Sequence, residues 1–411
     1  MPKYDAVILG AGVAGCAVAA LLSKGGKRVL IMDPAKEPGG SSAPFELQGM
    51  RFSGWPTCTY GFEEGGAWNN MLRELGLPRS DAGAGASYQV ALPGRRITVS
   101  PDPSATLEEL RREYPAEIDA LSRFYRDSAE LERRLARSRI SSFVARRRRA
   151  GGLLRSYGFS RELQAFFSAA SFVFFGRTVQ DLALSELVRL VATPPRVISD
   201  GFSRIAEELR GIVVRHGGEC RLGDPWPELL VRRSRLEGIQ SVQGRIDLRS
   251  AVLNIPWRIH EATLFAVVQE EVLPVGMLDT VIVAGDYDRP GESLLLSLEP
   301  QVSPAPSGGR IRPLKAFFSH LPQPDAEPDE LIGRVSNIIP FLADFTQASV
   351  HRASKDRALH VPNNGDVPRG RQGTRAIPVR LPVRALTVIT DSPFGSARVA
   401  GNVRAVAARL A

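Results

Sequence analysis

The opening stretch of the chain constrains its fold more than any other feature. Tyr4-Asp5-Ala6-Val7-Ile8-Leu9 is an apolar strand that runs directly into Gly10-Ala11-Gly12-Val13-Ala14-Gly15, a GxGxxG sequence at the start of a helix of small residues. Val29-Leu30-Ile31-Met32-Asp33 then supplies a second strand ending in a carboxylate. Each glycine has its own task. Gly10 permits the tight turn, Gly12 lets backbone approach a pyrophosphate, and Gly15 allows the helix to lie close on its strand. Amides at the helix start face the phosphates. Asp33 stands 23 residues after Gly10, where it accepts hydrogen bonds from a ribose diol. A bare GxGxxG is weak evidence, but strand, glycines, helix, strand and acid in register describe a dinucleotide site.

The chain of 411 residues is long enough for two connected cores. No run of about 18 apolar residues occurs, which predicts no membrane-spanning helix. The apolar start at Tyr4 already reads as strand and helix, so no cleavable signal peptide is expected. Cys16, Cys58 and Cys220 have neither metal-ligand spacing nor the pattern of a disulfide framework, and a reducing, cytoplasmic setting follows. Fifty-three basic and 44 acidic side chains give a net charge of +9. Ten arginines fall between Arg133 and Arg161 without a single acid, while the remainder is nearly balanced. This is a local basic surface, fit for an anionic membrane surface or an acidic protein, or simply a solvated helical face. Nucleic acid is not expected, because no reading module accompanies the arginines.

Further along, Gly39-Gly40 and the glycine-bearing stretch from Gly49 to Gly66 read as a segment wrapping the cofactor. Tyr88 to Val99 alternates about Pro93-Gly94 as a hairpin. Leu107, Leu110, Tyr114, Ile118, Leu121, Tyr125, Leu131 and Leu135 recur at helical spacing. Leu163 to Gly176 is so rich in phenylalanine that it reads as a core helix or as the wall of an apolar substrate cavity. Thr178 and Asp181 are candidate caps for the next helix, which Pro194-Pro195 ends. Gly201 opens a helix that leads through Gly217-Gly218 to a short strand, Glu219–Leu222. Thr263–Val268, Thr280–Ala284 and Ser293–Leu298 are strand-like, residues 300–313 and 321–330 read as loops, and Leu386–Ile389 with a helix over 397–410 completes the chain. The expected organisation is α/β: a discontinuous Rossmann-like nucleotide domain of residues 1–100, 195–240 and 376–411, with an inserted α+β substrate domain whose helical part is 101–194 and whose sheet-rich part is 241–375.

Asp33-Pro34-Ala35-Lys36-Glu37-Pro38-Gly39-Gly40, followed by Gly49-Met50-Arg51-Phe52-Ser53-Gly54-Trp55-Pro56, resembles the amino-terminal signature of FAD-dependent oxidoreductases of the phytoene desaturase and flavin amine oxidase group. The resemblance implies FAD as cofactor, with Asp33 on the ribose and Gly39, Gly40, Ser41 and Ser42 near the pyrophosphate and ring. It places the adenine contact near Trp226 and a ribityl contact on Asp391, where Thr390 replaces the usual glycine of a Gly-Asp pair. An ordinary NAD enzyme needs nothing beyond Asp33; the added segments suit a cofactor held throughout turnover. The implied chemistry is hydride transfer between flavin N5 and a hydrophobic, isoprenoid- or lipid-like substrate, in the manner of a desaturase or saturase. Two alternatives stand beside it: a flavin amine oxidase, and a non-catalytic flavin-fold binding or assembly protein, the latter motivated by Thr390 and the shortened terminal loop. No catalytic residue emerges. His216, His260, His320, His351 and His360 are scattered, Trp55 and Tyr60 serve equally as cavity wall or as loop packing, and no aromatic wall for an amine is legible in the sequence.

Overall fold

The strand Tyr4–Leu9 buries five of its six residues, a pattern that requires partners on both edges and cover on both faces. The computed structural model describes residues 4–78, 85–199, 201–254, 261–284, 286–289, 292–305, 308–320, 327–353, 379–380, 384–389 and 392–411. In it, Tyr4–Leu9 pairs in parallel with Val29–Asp33 on one side and with Gly244–Asn254 on the other. Glu219–Leu222 extends the sheet beyond Val29–Asp33, and Leu386–Ile389 extends it beyond Gly244–Asn254, both in parallel. Successive side chains point to opposite faces. Ala6 and Ile8 therefore enter a core with the helices Val13–Lys24, Gly201–Arg215 and Ser396–Leu410. Val7 and Leu9 face the hairpin Glu228–Arg232 and Arg235–Ser241, through Leu229, Leu236 and Ile239. Burial on both faces is why Val29-Leu30-Ile31-Met32 is uninterrupted by a polar residue.

A second sheet runs in the order Thr346–Ala353, Ala262–Gln269, Arg310–Phe318, Leu294–Leu298, Thr280–Val283, Tyr88–Leu92 and Arg95–Val99. The phenylalanine-rich helix Arg161–Phe175 and its neighbours cover one face, meeting Val90, Ile282, Leu295 and Phe317. The helix Pro328–Ser336 covers the other, against Leu264, Leu296 and Leu314. The architecture is a Rossmann-like nucleotide-binding region joined to a separate, discontinuous α+β region.

Strand pairing departs from the expected segment boundaries at two places. The hairpin Tyr88–Val99 belongs to the second sheet, where Gln89 lies beside Val281. Gly244–Asn254 belongs to the first, between Tyr4–Leu9 and Leu386–Ile389. Alternating apolar residues announce a strand without saying which sheet will bury it. The expected loops also shorten, since Arg310–Phe318 and Pro328–Ser336 begin inside them. Thr178 and Asp181 do not cap the helix Leu184–Ala192; its start is at Ala183, whose amide donates to Glu186 Oε2 at 2.9 Å.

Candidate functional site

The glycine loop follows from how closely strand and helix approach. A β-carbon on Gly10, whose φ is +109°, would lie 2.3 Å from the Asn254 carbonyl oxygen, and one on Gly15 would lie 2.2 Å from the Gly10 carbonyl oxygen. Only hydrogen fits at either place. The helix then starts at Gly12 with no side-chain cap and no acid in its first turn, which leaves the positive end of its dipole to an anion. Gly39 donates from its amide to the Ala11 carbonyl at 2.8 Å and bridges Gly12. A β-carbon on Gly40 would come within 3.1 Å of Gly12 Cα. The paired glycines thus lie directly on the GxGxxG turn.

Asp33 closes the same cleft. Its Oδ2 accepts from the Ala11 amide at 2.6 Å and its Oδ1 from the Ala35 amide at 2.8 Å. A carboxylate accepts about four hydrogen bonds, so this half-buried group keeps capacity for a ribose diol. The Gly223 amide donates to the Asp33 and Ala35 carbonyls, and three residues on, Trp226 is 38% exposed. Ser41 Oγ accepts from Trp55 Nε1 at 3.1 Å, and the buried Trp55 ring meets Phe202 at 4.8 Å. Trp55 therefore packs this loop on the helix Gly201–Arg215. An uncapped helix start, a carboxylate with spare acceptors and two glycine segments too close for a β-carbon make a donor set that fits the nucleotide half of FAD. Thr390, Asp391, His260 and His360 lie outside the described residues.

A buried ion pair escaped the sequence reading. Lys315, fully buried on Arg310–Phe318, places Nζ 2.7 Å from Glu299 Oε1 and donates to Ser53 Oγ at 2.6 Å and to the Trp55 carbonyl at 2.9 Å. Glu299 Oε1 also accepts from the Ser53 amide at 2.8 Å and its hydroxyl at 2.7 Å. Burial opposes the Glu299 charge, but the Lys315 ammonium and the Ser53 donors outweigh it and hold the carboxyl below its usual range. The pair ties the Ser53–Trp55 loop to the second sheet. One signal was available: a lone lysine inside the apolar run Leu314-Lys315-Ala316-Phe317-Phe318.

An aromatic cleft lies between the hairpin Tyr88–Val99 and the helices Arg161–Phe175 and Leu184–Ala192. Tyr60, Tyr88, Tyr125, Phe166, Phe167 and Leu190 line this narrow cleft, which has about 20 Å³ of free volume, room for about one water. The Tyr60 hydroxyl donates to the Leu190 carbonyl at 3.1 Å, whereas that of Tyr125 has no hydrogen-bond partner among the described residues. Burial pushes the Tyr60 and Tyr125 phenols up, so both stay protonated. The cleft adjoins the nucleotide region through Thr59, whose Oγ1 lies 2.6 Å from Ser396 Oγ at the start of the final helix. The Gly395 amide just before it donates to the Val173 carbonyl at 2.8 Å, docking that segment on the phenylalanine-rich helix. Tyr60 is therefore cavity wall and Trp55 is loop packing.

Comparison with known proteins agrees with this geometry. Residues 8–75 match the family model of an NAD(P)-binding Rossmann-like domain. Chloroplastic prolycopene isomerase of Daucus carota is 26% identical over 142 residues, covering 30% of this chain and 21% of that protein. All-trans-retinol 13,14-reductase of Rattus norvegicus is 44% identical over 50 residues, covering 12% of this chain and 8% of that protein. The matched region thus spans about a fifth or less of the curated relatives' length. Among solved structures, a Rab GDI from Plasmodium falciparum covers 86% of this chain and 89% of its own at 12% identity and a TM-score of 0.63. An oxidoreductase from Methanosarcina mazei covers 98% and 99% at 14% identity and 0.58. A putrescine oxidase bound to putrescine covers 99% and 98% at 13% identity and 0.55. At such identities the likeness is one of fold. The chain thus carries a Rossmann-like nucleotide-binding segment over residues 8–75, and its whole-chain architecture is similar in fold to the solved oxidoreductases and to the Rab GDI.

Proposed function

We propose that the protein is a FAD-dependent oxidoreductase acting on a hydrophobic small molecule. One observation carries this reading: Tyr60 lines the aromatic cleft, while its neighbour Thr59 meets Ser396 at the start of the helix that closes the nucleotide region. The first-turn amides beyond Gly12 would take the pyrophosphate, Asp33 the ribose, Gly39, Gly40 and Ser41 the adjoining phosphate and ring side, Trp226 the adenine and Asp391 the ribityl chain. When bound, FAD supplies a two-electron acceptor for hydride. The chain's own contribution is to exclude water and, once the narrow cleft widens on binding, to orient substrate between Tyr60, Tyr125, Phe166 and Phe167.

Within this reading, oxidation of a hydrophobic amine has the stronger support. The fold likeness to a putrescine oxidase extends over the whole chain, and the cleft supplies the aromatic wall that the sequence did not locate. No carboxylate among the described residues lines it, so burial selects the uncharged amine, and the Tyr125 hydroxyl, without a partner among the described residues, is placed to donate to a substrate lone pair. Desaturation or saturation of an isoprenoid is the second reading, supported by the likeness to prolycopene isomerase over 30% of the chain. The deciding measurement is the visible spectrum of the purified protein with mass identification of the released cofactor. Anaerobic bleaching by a hydrophobic monoamine, a carotenoid and a retinoid would follow. Yellow protein bleached by the amine is the expected result. Bleaching by the isoprenoids alone would replace amine oxidation with the second reading, and a colourless protein that takes up no added FAD would end both.

A further inference from the structure

We propose that the helix Arg139–Arg147 is a docking element for an anionic phospholipid bilayer. Ile140, Phe143 and Val144 are 79%, 54% and 56% exposed, although they sit at positions i, i+3 and i+4 of one helix and so share a face. Among the helix's described side chains only Ala145 is buried; it rests on Leu184 and Val188 of the neighbouring helix Leu184–Ala192. The apolar face is therefore turned away from the protein rather than used in its core.

Only some of the cations around it are ion-paired among the described residues. Arg134 pairs with Glu130, Arg149 with Asp181 and Arg161 with Asp288. Arg133, Arg137, Arg146, Arg147 and Arg148 have no carboxylate partner among the described residues. The Arg147 guanidinium lies 4.2 Å from the Phe143 ring centroid, so charge and apolar surface are contiguous. Unpaired cations call for an anionic partner. Exposed aliphatic and aromatic side chains on the same convex helix call for an apolar layer immediately beneath those anions. A membrane interface offers both in that order, with basic side chains at the headgroups and the apolar face at the acyl boundary. A folded acidic protein would have to supply a groove as well as charge.

The helix also lies close to the cleft. Its Ala145 packs at the start of Leu184–Ala192, and the far end of that helix, at Leu190 and Val191, lines the aromatic cleft. Docking would hold the cleft about two helical turns from the membrane surface. The proposal itself stands whether or not the protein binds flavin.

Co-sedimentation of the full chain with vesicles tests it, using phosphatidylcholine alone and mixed with phosphatidylglycerol, at low and raised salt. Wild-type protein is expected on the anionic vesicles only, with recovery falling as salt screens the arginines. The triple charge reversal Arg146→Glu, Arg147→Glu, Arg148→Glu should weaken binding by at least about tenfold, and Ile140→Ser with Phe143→Ser should weaken it at fixed charge. A Phe143→Trp variant, otherwise unaltered, should show a blue-shifted emission with anionic vesicles that brominated acyl chains quench. It keeps the test decisive if the arginine variants fail to fold. Equal recovery on neutral and anionic vesicles would overturn the proposal. So would unquenched emission from the Phe143→Trp variant, or arginine-dependent capture by polyglutamate or RNA with no vesicle binding.

Discussion

Lys315 and Glu299 are the side chains whose burial demands the most from their neighbours. Leaving either charge without the other inside the protein costs far more than the intact pair contributes, since desolvation is then uncompensated. Glu299→Gln should therefore destabilise the fold by about 3 kcal/mol at neutral pH, read by urea unfolding. The sign with pH follows from the lowered folded-state value of Glu299. Its stabilisation is fully present above the ordinary glutamate range and is lost as pH falls through the lower folded value. Wild-type stability should decline on that acid limb, and the variant should decline less. At the cleft, Tyr125→Phe removes one hydroxyl without altering packing volume by much. It should raise KM for an amine about tenfold with the flavin spectrum unchanged, a loss near 1.4 kcal/mol. At the ribose end, Asp33→Asn leaves one acceptor oxygen for two amide donors, and FAD affinity should fall by about tenfold or more in a reconstitution titration.

Among the elements, the first helix is the one that can least afford a shift. Gly15→Ala sets a β-carbon against the Gly10 carbonyl oxygen and must push the helix off its strand. A destabilisation of about 2 kcal/mol with loss of FAD retention is expected, checked by thermal unfolding and by flavin content after gel filtration. The phenylalanine-rich helix Arg161–Phe175 divides its aromatic residues between two tasks. Phe166 and Phe167 line the cleft, while Phe174 meets Tyr60 at 4.9 Å and Tyr88 at 5.1 Å. Its sequence named the helix and its burial, and left open whether it was core or cavity wall; it is both. Short strands were legible where apolar residues ran together. The cap of Leu184–Ala192 was not, because Ala183 has no capping side chain and Glu186 reaches back from inside the helix.

For the whole molecule, the reading as an amine oxidase predicts that kcat/KM rises with pH through the substrate's own pKa, because no carboxylate among the described residues lines the aromatic cleft to hold a cation. Steady-state rates with two amines of different basicity would check it; profiles that coincide on the pH axis would argue against selection of the neutral form. By itself, the sequence determined the strand–helix–strand unit that opens the nucleotide region. Glycine spacing, strand polarity and the terminal Asp33 are local requirements, readable within one strand–helix–strand unit. The tertiary structure alone decided the rest. It assigned Tyr88–Val99 to one sheet and Gly244–Asn254 to the other, brought Lys315 and Glu299 to Ser53, and gathered Tyr60, Tyr125 and Phe166 into one wall. These residues stand far apart along the chain, and their chemistry depends on burial and contact, which a periodic pattern in one segment does not encode.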